Sequence, residues 1–324
     1  MNTYLLIPLG LFFLSTALVK SYSHESVANL PPAESQFGNR TSDQPIEIGT
    51  VKWTRNHDAA LAKSKSTGKP VFALFQEVPG CAGCKDFGKL VLSQPLLVEA
   101  IESEFIPLVI YNNKGGKDAE LLAKYKEPSW NYQVIRFLDS QGKDIISRKD
   151  RIWTLPGVAK RMQESLTKTG RPTPGYIDSL ANNHIAPSVQ EIAVSQHCFW
   201  TGEMKIGGLD GVLNTEAGFY DGREVTRIWF DPNKISAETL VKKSKALGVA
   251  DKVYIKANKT FKLADYRKAS ASDQNRQLRG TKFQNAASKA GLNDYQLTKV
   301  NAFIRVNPNK ALKFLSPAQL KAMS

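Results

Sequence analysis

The sequence predicts an α/β protein built from two domains. An apolar run at 71–75 leads into a Cys-x-x-Cys pair, and a helical pattern follows it. A second apolar run at 192–195 leads in the same way into a third cysteine and another helical stretch. Between the two, residues 169–190 are punctuated by Pro and Gly, which is typical of a linker, and Tyr176 to Leu180 are predicted to form a short helix within it. The chain has 324 residues, enough for two domains of ordinary size.

The composition is that of a basic globular protein. Hydrophobic residues make up 42% of the chain, and 44 Lys and Arg against 30 Asp and Glu give a formal charge of +14. The basic residues are scattered, with no dense run and no nucleic-acid motif around them. We therefore predict a solvated basic surface with no nucleic-acid partner and at most weak contact with anionic membrane surfaces.

The N-terminus has the pattern of an export signal over residues 1–23. An apolar run extends from Tyr4 to Val19, and Ser21-Tyr22-Ser23 offers small residues at the cleavage spacing. The alternative is an uncleaved anchor, although the run is short for a transmembrane helix. We expect an exported, periplasmic protein, in which disulfides can persist. Residues 24–48 are polar and predict a flexible lead-in.

Patterning over 49–168 predicts an alternation of strands and helices that forms the first domain. The predicted strands are 51–53, 71–75, 107–111 and a hairpin of 134–138 with 144–146. The predicted helices are 58–66, 84–91, 96–105, 118–126 and 156–168.

Cys81 and Cys84 lie where a buried strand meets a helix. The helix N-terminus supplies unpaired N–H groups and a partial positive charge, which favour a thiolate at Cys81. Cys84 follows one turn later and can close a disulfide behind it. A zinc site would need more Cys or His ligands, and the neighbouring sequence offers none. We therefore interpret the pair as a redox dithiol, with a structural disulfide as the alternative.

The element order and the segment Val78-Pro79-Gly80-Cys81 resemble the thioredoxin fold over about 49–168. The similarity is to a bacterial thioredoxin-like group in which Cys or selenocysteine follows Val-Pro-Gly. It implies a thiol-disulfide oxidoreductase. The loop Gly80-Cys81-Ala82-Gly83-Cys84 differs from the Trp-Cys-Gly-Pro-Cys of thioredoxin itself, and Tyr132 stands where thioredoxins carry a cis-proline.

The second domain, 191–324, contains several motifs in a recognisable order. They are Cys198-Phe199-Trp200 with Glu203, Gly218–Gly222 with Glu224-Val225, Asp231-Pro232 with Ile235-Ser236, and Asp273 with Gln277 and Arg279. Over about 190–283 they resemble the peptide methionine-(S)-sulfoxide reductases. The resemblance implies an α+β, ferredoxin-like domain without a bound cofactor, and the polar, helical residues past 285 predict a C-terminal cap.

Reduction of a sulfoxide needs a thiolate that attacks sulfur and a donor that protonates the departing oxygen. Cys198, at a helix start, is the predicted nucleophile. Glu224 is the predicted proton donor, because partial burial would favour its protonated form. Phe199 and Trp200 are predicted to form an apolar pocket for the substrate methyl group, and Asp273 to orient the site.

The sequence departs from the family at two tyrosines that hold the sulfoxide oxygen. The loop that carries one is very short here, and Leu278 replaces the other. Loss of both donors predicts a slow, altered or inactive site. Tyr266 and Tyr295 are candidate replacements. Glu203 is interpreted as helix surface or a charge near the helix start, and His197 as structural or surface.

The cysteine count suggests a relay. Attack by Cys198 on a sulfoxide would yield methionine and a sulfenic acid, and no resolving cysteine follows it. We therefore expect Cys81 and Cys84 to recycle Cys198 within the chain, and an external dithiol or thioredoxin-type reductant to reset them. The expected substrates are oxidised proteins or peptides. Two alternatives remain: a thiol-disulfide oxidoreductase with the second domain as a binding module, and a non-catalytic redox sensor.

Overall fold

The computed structural model describes residues 44–129, 133–182, 187–256, 260–284 and 290–323. The expected export signal, 1–23, and Tyr132 lie outside the described residues. The predicted α/β class is confirmed. No helix in the described part of the chain has the length and apolar composition to cross a membrane.

Strands and helices alternate along most of the described chain. The strands are β1 (Val71–Gln76), β2 (Ile106–Tyr111), β3 (Val134–Leu138), β4 (Gln190–Ser195), β5 (Val212–Tyr220), β6 (Arg223–Phe230), β7 (Lys252–Ile255) and β8 (Arg267–Lys268). The helices are α1 (His57–Thr67), α2 (Ala82–Leu90), α3 (Pro95–Glu104), α4 (Lys117–Tyr125), α5 (Leu155–Lys168), α6 (Gly175–Ala181), α7 (Phe199–Gly207), α8 (Ala237–Ala246), α9 (Asp294–Phe303), α10 (Pro308–Leu312) and α11 (Pro317–Ala322).

The first sheet has the order β2-β1-β3, with β1 parallel to β2 and antiparallel to β3. Single bridges extend it at both edges, from Thr54 to Leu108 and from Leu138 to Asp144. The strands predicted at 51–53 and 144–146 are therefore wrong as full strands. Pairing after Asp144 continues for one bond, from Ile145 N to Phe137 O at 2.8 Å, before the chain leaves the sheet.

The core of the first half covers both faces of β1, in which all six residues are buried. Phe72 packs edge-on against Phe105 and Phe137 on one face, and Phe75 packs against Tyr125 on the other. A strand buried on both faces has no polar side to present, which explains the uninterrupted apolar run at 71–75.

Two segments predicted to be loose are packed in the structure. Ile46–Ile48 forms a turn of 3₁₀ helix, in which Glu47 and Ile48 are buried, so the prediction of a flexible segment is wrong for this part of the lead-in, whose residues 24–43 lie outside the described residues. Helix α6 lies within the predicted linker. Its residues Tyr176 and Ile177 are buried in the first core, and the Tyr176 hydroxyl donates to Glu104 at 3.1 Å. The domain boundaries themselves stay a prediction.

The second sheet follows a β-α-β-β-α-β succession from β4 to β7. Its order is β7-β4-β6-β5-β8, with antiparallel pairing throughout. Ile206 of α7 and Leu240 of α8 share a buried cluster with Ile228 and Phe230 of β6, so these helices pack on the same face of the sheet. Helix α9 packs beside α7, where Lys299 Nζ donates to two backbone carbonyls at the end of α7.

Candidate thiol sites

The first candidate site is the pair Cys81 and Cys84. Cys81 is the N-cap residue of α2 and is exposed, whereas Cys84 lies in the first turn with 0% exposure. Their sulfurs are 3.3 Å apart. A disulfide bond measures about 2.05 Å, so this is a dithiol that a small movement can close. The structure places the two thiols together, as the spacing predicts.

Contacts from two distant segments fix the loop between β1 and α2. The Glu47 carboxylate accepts a hydrogen bond from Gly80 N at 3.0 Å. The Asn113 amide accepts from Val78 N at 3.1 Å and donates to Pro79 O at 2.9 Å. Neither Glu47 nor Asn113 was predicted from sequence, because only the fold brings 47 and 113 beside residue 80.

Gly80 leaves no room for a side chain. A Cβ at this position would lie 2.5 Å from Glu77 O and 2.7 Å from Cys84 Cβ, closer than real Cβ contacts. The glycine therefore allows the loop to pass tightly over the buried thiol.

The two thiols differ in their environment. Burial, together with the hydrogen bond to Cys81, raises the pKa of Cys84 to about 12. Cys84 therefore stays protonated at neutral pH, and its thiol is oriented toward Gln133 Oε1 at 3.8 Å. Because Cys81 is the exposed sulfur, it is the one that an external disulfide can reach. The arrangement fits attack by Cys81 and resolution by Cys84.

The second candidate site surrounds Cys198. This half-buried residue is the N-cap of α7, as the sequence predicts. The Glu224 carboxylate accepts a hydrogen bond at 2.9 Å from Phe199 N, the peptide nitrogen that follows Cys198. Phe199 is buried against Trp200 and Phe219, with ring centroids 5.8 and 5.5 Å apart. The structure thus brings the predicted acid and both predicted aromatic residues to the helix start.

Asp273 lies in a turn beside this site. Its carboxylate accepts from the Ser270 hydroxyl at 2.7 Å, so it is engaged within its own turn. Its neighbour Arg276 makes the contact with the pocket instead, with its guanidinium 4.6 Å above the Trp200 ring. His197 is exposed, in line with its prediction as surface.

The prediction for Glu203 as helix surface is wrong. Its side chain is fully buried, and one carboxylate oxygen accepts from Asn275 N at 3.1 Å. Burial, together with the nearby Glu216 charge, raises the pKa of Glu203 to about 8. Helical spacing could have revealed this, because Phe199, Glu203 and Ile206 follow i, i+4, i+7 on the buried side of α7.

Neither candidate tyrosine replaces the missing hydroxyls at Cys198. The Tyr266 hydroxyl donates to Glu216 Oε1 at 2.9 Å and to Ala217 O at 3.2 Å. Side chains alternate along a strand, so the Glu216 and Ala217 side chains lie on opposite faces of the sheet. Ala217 packs with Phe199 beside Cys198, and the Tyr266 hydroxyl bonded to Glu216 is therefore on the other face. Tyr295 packs against Phe314 in the C-terminal helices.

Among the described residues, the hydrogen bonds between the two halves involve residues outside both thiol sites. In the first half they involve α3 and α6, where Glu99 accepts from Ala318 N at 2.7 Å. Arg171 and the C-terminal end of α3 lie near the start of β1, whereas Cys81 follows its far end. In the second half Lys234 Nζ reaches Asn182 at 3.4 Å, just beyond the carboxyl end of β6. Cys198 lies beside Glu224, at the opposite end of that strand.

These contacts join Glu99 to Ala318 and Asn182 to Lys234, and they involve no residue of the dithiol loop or of the Cys198 pocket. The described contacts therefore do not hold Cys198 next to the dithiol. The intramolecular relay is not prearranged in this structure.

Comparison with known proteins gives little support for a family. No family model and no curated protein matches the chain. Among solved structures, a DsbH oxidoreductase is similar at 19% identity with a TM-score of 0.31, over 41% of this chain and 93% of its own. A TM-score this low does not establish a shared fold.

Proposed function

We propose that this chain is a thiol-disulfide oxidoreductase whose working groups are Cys81 and Cys84. The observation that carries the proposal is the asymmetric dithiol: an exposed sulfur at a helix N-cap, 3.3 Å from a fully buried one. A purely structural disulfide would need neither an accessible sulfur nor two sulfurs that differ so much in exposure.

The order of the first sheet supports a thioredoxin-like interpretation of 49–168. From edge to edge it runs through the bridge at Thr54, then β2, β1 and β3, to the bridge at Asp144. The dithiol follows the central strand β1, and α2 begins directly after Cys81. This is the placement expected for a redox turn at the carboxyl end of a strand.

The reaction follows from the positions of the two sulfurs. The Cys81 thiolate attacks one sulfur of a substrate disulfide, which forms a mixed disulfide and releases the first substrate thiolate. Cys84 then loses its proton and attacks Cys81 Sγ. This step closes the Cys81–Cys84 disulfide and releases the second substrate thiolate, so two electrons pass to the substrate. An external dithiol must then reduce the chain.

Reduction of insulin disulfides tests this proposal. We expect Cys81→Ser to abolish turnover, and Cys84→Ser to stop after one mixed disulfide per chain. Cys198→Ser is the matched control and should retain wild-type turnover. Full activity in Cys81→Ser would overturn the proposal.

A second candidate function is reduction of peptide methionine-(S)-sulfoxide at Cys198. The observation in its favour is the Glu224 carboxylate at the start of α7, beside the pocket of Phe199 and Trp200. The β-α-β-β-α-β succession of 190–255 is that of a ferredoxin-like domain, as the sequence resemblance implies. Attack by the Cys198 thiolate on sulfur, with protonation of the oxygen, would yield methionine and a sulfenic acid.

Turnover of methionine-(S)-sulfoxide peptides with a chemical dithiol tests the second candidate. We expect Cys198→Ser to abolish turnover and Glu224→Gln to lower it by roughly 10²–10⁴-fold, as for loss of a general acid. Cys81→Ser should leave turnover unchanged here, because the chemical dithiol replaces the reductant. Absence of turnover in the wild type would leave the second half as a binding module. Absence of both activities would favour a redox sensor.

A further inference from the structure

The loop between β1 and α2 places a carboxylate beside the dithiol. A Glu77 oxygen, Cys81 Sγ and Cys84 Sγ all lie within 4.8 Å of one another. In the sequence, no further Cys or His lies near this pair. The fold adds a third donor of another kind, because the chain turns back after β1 and brings residue 77 alongside 81 and 84.

These separations suit a single small cation. In a tetrahedral zinc site, Zn–S bonds of about 2.3 Å hold two thiolate sulfurs roughly 3.8 Å apart, and Zn–O bonds measure about 2.0–2.2 Å. The observed sulfur separation is 3.3 Å. Small rotations of the Cys81 and Glu77 side chains would therefore bring the three donors to one ion.

The donor set selects among metals. Two thiolates suit zinc or copper(I), and the carboxylate is a harder ligand that favours Zn²⁺ over copper(I). Three protein ligands leave the fourth tetrahedral position to water, as in open zinc sites. Because Cys81 is exposed, an ion can reach this position from solvent.

We propose that, when reduced, the chain binds one Zn²⁺ through Cys81, Cys84 and Glu77, with the fourth position open. Binding displaces the two thiol protons, since the thiolate is the ligand. Formation of the Cys81–Cys84 disulfide removes both sulfur ligands. Zinc binding and dithiol oxidation therefore exclude each other, and bound Zn²⁺ protects the pair from oxidants.

The test is a titration of the full reduced chain with Zn²⁺ in competition with a chromogenic chelator. We expect one ion per chain and a loss of at least about 100-fold in affinity after the disulfide is formed. Glu77→Gln should weaken binding by at least about tenfold, since loss of even an outer contact to a ligand costs about 10–100-fold. Asp86→Asn is the matched control. It removes an exposed carboxylate from α2, the helix that contains Cys84, and leaves the three proposed ligands unchanged.

Several results would overturn the proposal. The first is a Zn²⁺ affinity that is unchanged after the Cys81–Cys84 disulfide has formed. The second is an unchanged affinity in Cys84→Ser. The third is an equal loss of Zn²⁺ affinity in Glu77→Gln and Asp86→Asn. Cobalt(II) in place of zinc gives a second readout. The absorption band for charge transfer from thiolate to cobalt(II) grows with the number of bound sulfurs, and we expect the intensity that corresponds to two. A band with the intensity of one bound sulfur, or the absence of a band, would also overturn the proposal.

Zinc binding can fail independently of the proposed oxidoreductase function. Insulin reduction is measured in the presence of a chelator and Zn²⁺ binding in the absence of substrate. A chain that reduces insulin but binds no Zn²⁺ refutes only the metal site.

Discussion

At the residue scale, the buried carboxyl of Glu203 shows how burial changes the chemistry of a side chain. The folded chain holds Glu203 with a pKa of about 8, against 4.5 for a free glutamate. Below pH 4.5 both the folded and the unfolded chain carry the proton. Between these values only the folded chain holds it, so the free energy of unfolding falls as the pH rises through this window and levels off above about 8.

We therefore expect Glu203→Gln to remove this pH dependence and to stabilise the chain near pH 8. The glutamine keeps the shape of the side chain and carries no charge to bury, so the gain at pH 8 should be on the order of a few kcal/mol. Urea unfolding of wild type and variant at several pH values measures it. Glu238→Gln, at an exposed position on α8, is the control and should keep the wild-type slope. A Glu203→Gln variant with the same slope would contradict the prediction.

Only some of the residues at the two thiol sites can be predicted from the sequence. Cys81, Cys84 and Cys198 were identified because each follows an apolar run and precedes a helix. The acceptor Glu47 and the carboxylate Glu77 carry no such signal. Their roles depend on which segments the fold places side by side, which a local pattern does not contain.

At the element scale, the two halves build their thiol sites in the same way. In each, a strand leads through a short loop to a cysteine that is the N-cap of a helix, and neither cysteine side chain makes a capping hydrogen bond. The helix start therefore has N–H groups to offer to other acceptors. In the second half the Glu224 carboxylate takes up this position.

The end of the second of these helices, α7, depends on a lysine from α9. Lys299 is buried and its Nζ donates to Gly207 O and Leu209 O, both at 2.8 Å. Gly207 O lies in the last turn of α7, where carbonyls have no partner within the helix, whereas Leu209 O also accepts from Val212 N at 3.3 Å. Burial lowers the pKa of Lys299 to about 7, and the amine can donate to these carbonyls with or without its extra proton.

We expect Lys299→Met to lower the free energy of unfolding by about 2 kcal/mol, because it leaves the buried Gly207 carbonyl without its donor while preserving the bulk of the side chain. Denaturant unfolding measures the loss. Lys242→Met, at an exposed position on α8, should change stability by less than about 0.5 kcal/mol. Equal free energies of unfolding for Lys299→Met and the wild type would contradict the prediction. Water would then donate the hydrogen bonds that the amine provides.

Element positions were largely predictable, and the errors have physical causes. The predicted helix 156–168 is observed at 155–168, and the predicted strand 71–75 at 71–76. The strand predicted at 144–146 failed because apolar residues there bury their side chains without continuing the ladder. The short helix predicted at 176–180 is observed as α6, Gly175–Ala181, but the prolines and glycines around it predict a linker and give no sign that it packs into the first core.

At the scale of the whole molecule, the separation of the thiol sites decides how electrons could pass between them. The contacts between the halves involve α3, α6, Lys234 and the C-terminal helices, at the ends of β1 and β6 remote from the thiols. Those contacts do not hold Cys81 and Cys198 of one chain together.

We therefore expect Cys84→Ser, oxidised with peroxide or sulfoxide substrate, to form any Cys81–Cys198 disulfide between two chains. Non-reducing electrophoresis and peptide mass mapping distinguish a linked dimer from a closed monomer. The double variant Cys84→Ser, Cys198→Ser is the control and should lose that crosslink. A monomer with an internal Cys81–Cys198 disulfide would instead establish the intramolecular relay.

The sequence by itself determined the α/β class, the places of the three cysteines at helix starts, and most helix and strand positions. These depend on local periodicity and on a few residues of chain. The tertiary structure decided the burial of Glu203, the packing of α6, the grouping of Glu77 with the dithiol, and the distance between the thiol sites. Each of these depends on side chains or segments that meet only when the chain has folded, and no local pattern encodes such a meeting.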